Sequence, residues 1–209
     1  DMLLTADEVP YDLLDQSKVL HFGTVCMTNE PSRTAHYKAV EYARQQGKLV
    51  TFDHNLRELL WADLEDAKEQ MFWGFRHADV VKISDNEVEF LFGCSVEEGA
   101  EKLLKEFGVK LVFVTLGKDG CYFAKGKGSG RVPGVTDINV VDTTGAGDIF
   151  GGSAVTGLLE LGKAPEDVPV EEMAKIAAFA CTAASLSTTN LGGIFSVPER
   201  AAVEARVQQ

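Results

Sequence analysis

Apolar and polar positions alternate along the chain in two rhythms. Short runs rich in Val, Leu, Ile and Phe fall at residues 19–23, 49–53, 80–84 and 111–116, and read as strands. Residues 32–46, 64–76 and about 96–107 carry apolar positions at three- and four-residue spacing, and read as amphipathic helices. This alternation predicts one α/β domain over residues 1–209 with a mostly parallel sheet. A polar, helix-like run at residues 5–16 comes first, with no strand before it. Further on, Gly117-Lys118-Asp119-Gly120 reads as a tight turn into a strand at 121–124, and the glycine-rich residues 125–134 read as a flexible loop. The last third is helical: one helix runs from the segment at 142–150 to 161, a second from 170 to about 187, and a third follows Pro198. Asp53 and Ser84 fall at the carboxyl ends of strands, where open α/β sheets form their ligand crevices.

With 45% hydrophobic residues, a chain of 209 residues has ample material for a core. No run approaches the ~20 apolar residues of a membrane span, and no basic segment followed by an apolar one opens the chain. Cys26, Cys94, Cys121 and Cys181 lie far apart without a C-x-x-C pair, which suggests neither a zinc knuckle nor a disulfide framework and fits a reducing cytoplasm. A net charge of −12 argues against nucleic acid as a partner, so a small anion needs a local cationic or dipolar site.

The segment from Val141 to Gly152 supplies such a site. A strand end feeds small residues and glycines into a helix, which exposes backbone N–H groups where the macrodipole contributes about half a positive charge. Phosphate is the natural guest. Asp148 falls in the first helical turn, where a carboxylate can take a proton from an attacking hydroxyl, although an Asp there also serves as a simple cap. Phe150 stands where a dinucleotide loop needs its third glycine, and no G-x-x-x-x-G-K-[ST] occurs, so neither common nucleotide loop is present. The histidines His21, His36, His54 and His77 lack metal spacing and read as non-catalytic, and Trp61 and Trp73 read as packing residues.

Asp142-Thr143-Thr144-Gly145-Ala146-Gly147-Asp148-Ile149-Phe150-Gly151-Gly152 resembles the C-terminal signature of the ribokinase-like (PfkB) carbohydrate kinases, and the chain is most similar to the fructokinases among them. The resemblance implies a three-layer α/β/α fold, Asp148 as catalytic base, and the amides of Gly145, Ala146 and Gly147 as stabilisers of the transferring phosphoryl group. Asp53-His54-Asn55-Leu56-Arg57 resembles the family's D-x-N-x-R element, implying substrate or phosphate contacts for Asn55 and Arg57; fructokinases usually have Pro where His54 stands. Ser84-Asp85-Asn86-Glu87 resembles the N-x-x-E element in its serine-led form, implying that Glu87 organises magnesium through water. Thr115, Gly117, Lys118 and Gly120 match the turn lining the nucleotide site, Asn190 and Gly193 fall in the segment closing the adenine pocket, and Asp142, Thr144 and Ser196 fall where the family often binds a monovalent cation.

The implied activity is ATP-dependent phosphorylation of a sugar hydroxyl with Mg²⁺ and K⁺, most simply D-fructose to fructose 6-phosphate. Ribose, 2-keto-3-deoxygluconate and nucleosides remain open as acceptors, and a non-catalytic binding module with the same fold is the reading from another class. The family's first strands and its β-lid, which covers the sugar and often forms a homodimer, have no counterpart in this sequence. The expectation is therefore a piece of a longer kinase, inactive alone, with a sheet edge left for the missing segment or a second subunit.

Overall fold

The computed structural model describes residues 2–207. They form an α/β protein with six strands and eight α-helices, and the chain divides into two compact units, Asp1–Val112 and Phe113–Gln209.

In the first unit a short helix, α1 (Tyr11–Gln16), leads into three parallel strands, β1 (Val19–Phe22), β2 (Leu49–Asp53) and β3 (Val80–Ser84), joined through α2 (Ser32–Gln45) and α3 (Leu64–His77). The polar run at 5–16 is not one helix: a 3-10 turn, Ala6–Glu8, precedes Pro10, and α1 starts after that proline. In register, Val19 faces Leu49, Phe22 faces Phe52, and Asp53 faces Lys82. Val50, Phe52, Val81 and Ile83 are buried, as expected of parallel strands covered on both faces. Phe52 stacks on Phe22 at 4.5 Å and meets Phe75 edge-on at 5.6 Å. The α3 backbone passes so close that a Cβ at Gly74 would stand 2.3 Å from the Phe52 ring. Among the described residues, β1 has β2 as its strand partner and ends the sheet.

Helix α4 (Asp85–Phe92) starts directly at the end of β3 and stops at Gly93, whose φ of 57 is the left-handed conformation glycine adopts without strain. A Ser-x-x-Glu box opens each of these helices: Ser84 with Glu87 at α4, and Ser95 with Glu98 at α5 (Val96–Glu106). At the end of the unit the amides of Lys110 and Leu111 donate to the Asp79 carbonyl at 2.9 and 3.1 Å, and the next strand, β4 (Leu111–Thr115), begins there.

In the second unit the turn at 117–120 is a 3-10 turn, closed by the Leu116 amide on the Gly120 carbonyl at 2.8 Å. It leads into β5 (Cys121–Lys125). The segment expected to be a flexible loop instead contains a strand, β6 (Gly128–Val132), paired antiparallel with β5 from Cys121↔Val132 to Lys125↔Gly128. Its glycines serve packing: a Cβ at Gly130 would stand 2.6 Å from the Phe123 ring, and one at Gly128 would stand 2.5 Å from Val170. Helices α6 (Ala146–Leu161) and α7 (Val170–Ser187) pack side by side, with Gly157 against Ile176, and α8 (Arg200–Val207) returns along α7. Among the described residues no helix is long and apolar enough to cross a membrane.

Candidate functional site

In the second unit a cavity of about 460 Å³ collects residues from four stretches of chain. Thr115, Gly117, Lys118 and Gly120 come from the end of β4 and the turn after it, and Ala146 and Gly147 from the start of α6. These are six of the sequence-predicted residues, in a volume suited to a small organic ligand. Helix α6 begins at Gly145, whose φ of 77 and ψ of 0 are left-handed, and no side chain caps it. The first amides of a helix lack intrahelical acceptors; here the Ala146 amide donates to the Thr143 carbonyl at 3.2 Å, and the end, without a side-chain cap, offers its other donors and a positive dipole to an anion. Gly145 must be glycine for a second reason: a Cβ there would come within 3.0 Å of the Gly193 Cα. Asp148, in the first turn of α6, is exposed to solvent and able to accept a proton from an incoming group.

The predicted cation residues gather beside this helix start through their hydrogen bonds. Asp142 Oδ1 accepts from the Thr144 amide and hydroxyl at 2.9 and 2.7 Å, and Oδ2 accepts from the Gly192 amide at 2.9 Å. The Gly192 bond first, then those from Thr144, hold the Asp142 carboxyl below the usual range. Ser196 donates to the Gly193 carbonyl at 3.0 Å. Asn190 lies in the turn after α7, where its amide donates to the Ser187 carbonyl and its side chain donates to the Thr189 hydroxyl at 3.3 Å. Neither Asn190 nor Gly193 lines the cavity.

Sequence reasoning missed the part of the cavity wall made by Cys181, Ala184 and Ser185 of α7 and by Thr188, which follows it. Small residues at three- and four-residue spacing were the available signal, but the same pattern serves ordinary helix packing. Gly134, Val135, Thr136, Ile138 and Val140 also line the cavity and carry no motif at all.

The first unit holds a separate polar cluster at the ends of β2 and β3. Glu87 is three residues into the box that opens α4: its Oε2 accepts from the Ser84 amide at 2.8 Å and hydroxyl at 2.7 Å, and the Ser84 hydroxyl accepts from the Glu87 amide. Its Oε1 accepts from the Leu56 amide at 3.2 Å and lies 3.3 Å from His54 Nε2. The Glu87 carboxyl is held below its ordinary value: burial pushes it up, while the Ser84 bonds and Lys82 pull it down, with His54 adding to that pull only when its ring carries a proton. His54 is fully buried, and burial drives its pKa down, so the ring is neutral. Neither ring nitrogen makes a well-aligned hydrogen bond. A neutral ring leaves the Ser84 and Leu56 donors as the groups that fix the Glu87 carboxylate. Lys82 Nζ stands 3.0 and 3.2 Å from the two Asp53 oxygens, largely shielded from water. Asn55 adopts a left-handed φ of 47, and Arg57 is exposed and donates to the Leu56 carbonyl at 3.4 Å. His54 is thus the residue that the sequence left without a role and the structure places against Glu87. Among the described residues no group of three or more His, Cys, Asp or Glu is arranged to hold a metal ion directly.

Comparison with known proteins agrees with this arrangement of elements. The pfkB family of carbohydrate kinases matches residues 1–200. Fructokinase-1 of Zea mays is 40% identical over 205 residues, covering 97% of this chain and 62% of the relative, and Fructokinase-2 of Solanum lycopersicum is 39% identical over 199 residues, covering 95% and 60%. The chain therefore spans about 60% of the length of the curated relatives it matches. Among solved structures, a double mutant of the fructokinase from Vibrio cholerae O395, in a form with fructose, ADP and potassium ion bound, superposes with a TM-score of 0.86 at 30% identity, over 98% of this chain and 64% of that one. A putative ribokinase II from E. coli in complex with ATP and magnesium superposes with a TM-score of 0.84 at 26% identity, over 98% and 63%. The chain belongs to the pfkB family of carbohydrate kinases.

Proposed function

We propose that this chain is the nucleotide-binding and phosphoryl-transfer part of an ATP-dependent sugar kinase whose acceptor is D-fructose and whose product is fructose 6-phosphate. The observation that carries the proposal is the uncapped start of α6, with Ala146 and Gly147 on the wall of a 460 Å³ cavity and Asp148 in the same helical turn. Fructose as acceptor is supported by the fructokinase relatives near 40% identity.

The nucleotide occupies the cavity beside Thr115, Gly117, Lys118 and Gly120, and its phosphates lie toward the amides of Gly145, Ala146 and Gly147. Those amides are fixed by the backbone before any ligand arrives, so they offset the charge of the transferring group without reorganising. Asp148 takes the proton of the attacking sugar hydroxyl. Asn55 and Arg57 bind the sugar or its phosphate. Magnesium neutralises phosphate charge when bound. The Glu87 carboxylate, ionised and held by three donors, suits a water-mediated hold on that ion better than direct ligation. Asp142, which accepts from Thr144 and the Gly192 amide, and Ser196, which donates to the Gly193 carbonyl, are with Thr144 the groups that would meet a monovalent cation.

The test is Asp148→Asn in the gene product that carries this chain. ATP binding should be retained while fructose phosphorylation falls by about two to four orders of magnitude, the range for a lost general base. Unchanged turnover would remove Asp148 from the chemistry, and failure of the parent protein to phosphorylate fructose while it phosphorylates ribose or 2-keto-3-deoxygluconate would reassign the acceptor.

A further inference from the structure

Two of the four cysteines meet at the wall of the cavity. Cys181 lines it from α7, and Cys121, the first residue of β5, follows directly on Gly120, which lines it too. Helix α7 packs on β5, and both residues are buried, Cys121 completely. Their thiols are hydrogen-bonded to each other. That bond holds the Cys121 proton in place, and burial adds to the same effect, while the Cys181 sulfur as acceptor has its pKa lowered by the bond. The sulfur that lines the cavity is the one an oxidant reaches first, and the sulfur behind it is the one placed to react second.

We propose that Cys181 and Cys121 are a peroxide-oxidisable thiol pair reached through this cavity, so that a bound nucleotide and oxidation of the pair exclude one another. The Cys181 thiolate attacks one oxygen of a hydroperoxide, the O–O bond breaks, and an alcohol or water leaves with a proton, giving the sulfenic acid on Cys181. The Cys121 thiol loses its proton, its sulfur attacks the Cys181 sulfur, and the hydroxyl leaves as water. Two thiols and one hydroperoxide become one disulfide, one alcohol and one water. A disulfide requires its Cβ atoms to approach to about 3.5–4.5 Å. Closing that bond draws on the first residue of β5, one position from the turn that forms part of the cavity wall, so the cavity changes shape.

The part of this proposal that concerns exclusion rests on the nucleotide reading of the cavity; the thiol chemistry does not. The experiment treats the full chain with hydrogen peroxide, with and without ADP at about 100 times its Kd measured by calorimetry, and maps the cysteine peptides by mass spectrometry. The expected product is a Cys121–Cys181 linked peptide two hydrogens lighter than the pair. Its formation should slow by up to about 100-fold under ADP, because only about 1% of the cavities are then empty. In Cys121→Ser the same treatment should leave sulfenic or sulfinic acid on Cys181 and no crosslink to it. Absence of the linked peptide overturns the thiol pair, whatever ADP does. A linked peptide that forms equally fast at verified ADP saturation overturns the route through the cavity. If calorimetry shows no ADP binding, the nucleotide reading fails by itself, and the linked peptide still decides the thiol pair.

Discussion

Replacing Gly145 with Ala tests both the backbone and the site it supports. The φ of 77 at Gly145 is left-handed, and an L-residue there costs about 1–2 kcal/mol. The added Cβ also meets the Gly193 Cα at 3.0 Å, a backbone atom that cannot swing aside, so the two segments must separate by a few tenths of an ångström. Crowding of this kind costs about 1–3 kcal/mol more. Gly47 provides the internal control: its φ is 66, and an added Cβ meets nothing within 4 Å. Gly47→Ala should therefore lose only the backbone part, and Gly145→Ala about 2–5 kcal/mol in all. At ~2–4 °C per kcal/mol for a chain of this size, the two differ by several degrees in Tm. Urea denaturation gives the free energies, and calorimetric titration with ADP reads the site. Loss of one well-aimed donor to a phosphate is worth about 1.5–3 kcal/mol, so ADP affinity should fall by about tenfold to a hundredfold in Gly145→Ala and stay unchanged in Gly47→Ala. Equal stability losses in the two variants, with ADP affinity intact, would refute both the close approach to Gly193 and the reading of the α6 start as the anion site.

Two further predictions concern the first unit. Lys82→Met leaves the shielded Asp53 carboxylate without its cation and should cost about 3–5 kcal/mol by chemical denaturation, most of it recovered when Asp53→Leu is added; a loss below about 1 kcal/mol would put the pair in the class of surface ion pairs. Burial lowers the His54 pKa, so the unfolded chain binds a proton near pH 6.5 that the folded chain refuses, and stability should fall as pH drops below about 6.5. This one group contributes a slope of at most ~1.4 kcal/mol per pH unit, and His54→Gln should flatten the stability profile between about pH 6.5 and 5; an identical slope in that variant would show that His54 is not held neutral.

The parts of the fold that were legible in the sequence are those written in local periodicity. Strands at 49–53 and 80–84, and helices from 64, 96 and 170, follow from apolar spacing alone, and their bounds differ from the structure by a residue or so. The strand at 128–132 was illegible because Gly126, Gly128 and Gly130 look like loop, while Gly128 and Gly130 leave room for Val170 and the Phe123 ring from elsewhere in the fold. Pro10 broke the run at 5–16 that polarity had suggested was continuous. In the site, the glycine and aspartate motif at 142–148 announced itself, since backbone donors at a helix start need a particular sequence. The Cys181 wall and the His54 contact with Glu87 did not, because each depends on which face of an element meets which neighbour, and that is decided by packing.

The Ser84–Glu87 box bears on how a knockout at this position should be interpreted. The carboxylate proposed to steady magnesium is also the group that closes the first turn of α4 and anchors the Leu56 amide. An inactive Glu87→Ala enzyme would thus confound a loss of chemistry with a loosened helix. Ser84→Ala removes the hydroxyl's bond to the carboxylate and the cap on the Glu87 amide but leaves the charge, whereas Glu87→Gln keeps the side chain's shape and removes the charge. Only the contrast between those two variants separates scaffold from function at this corner of the protein.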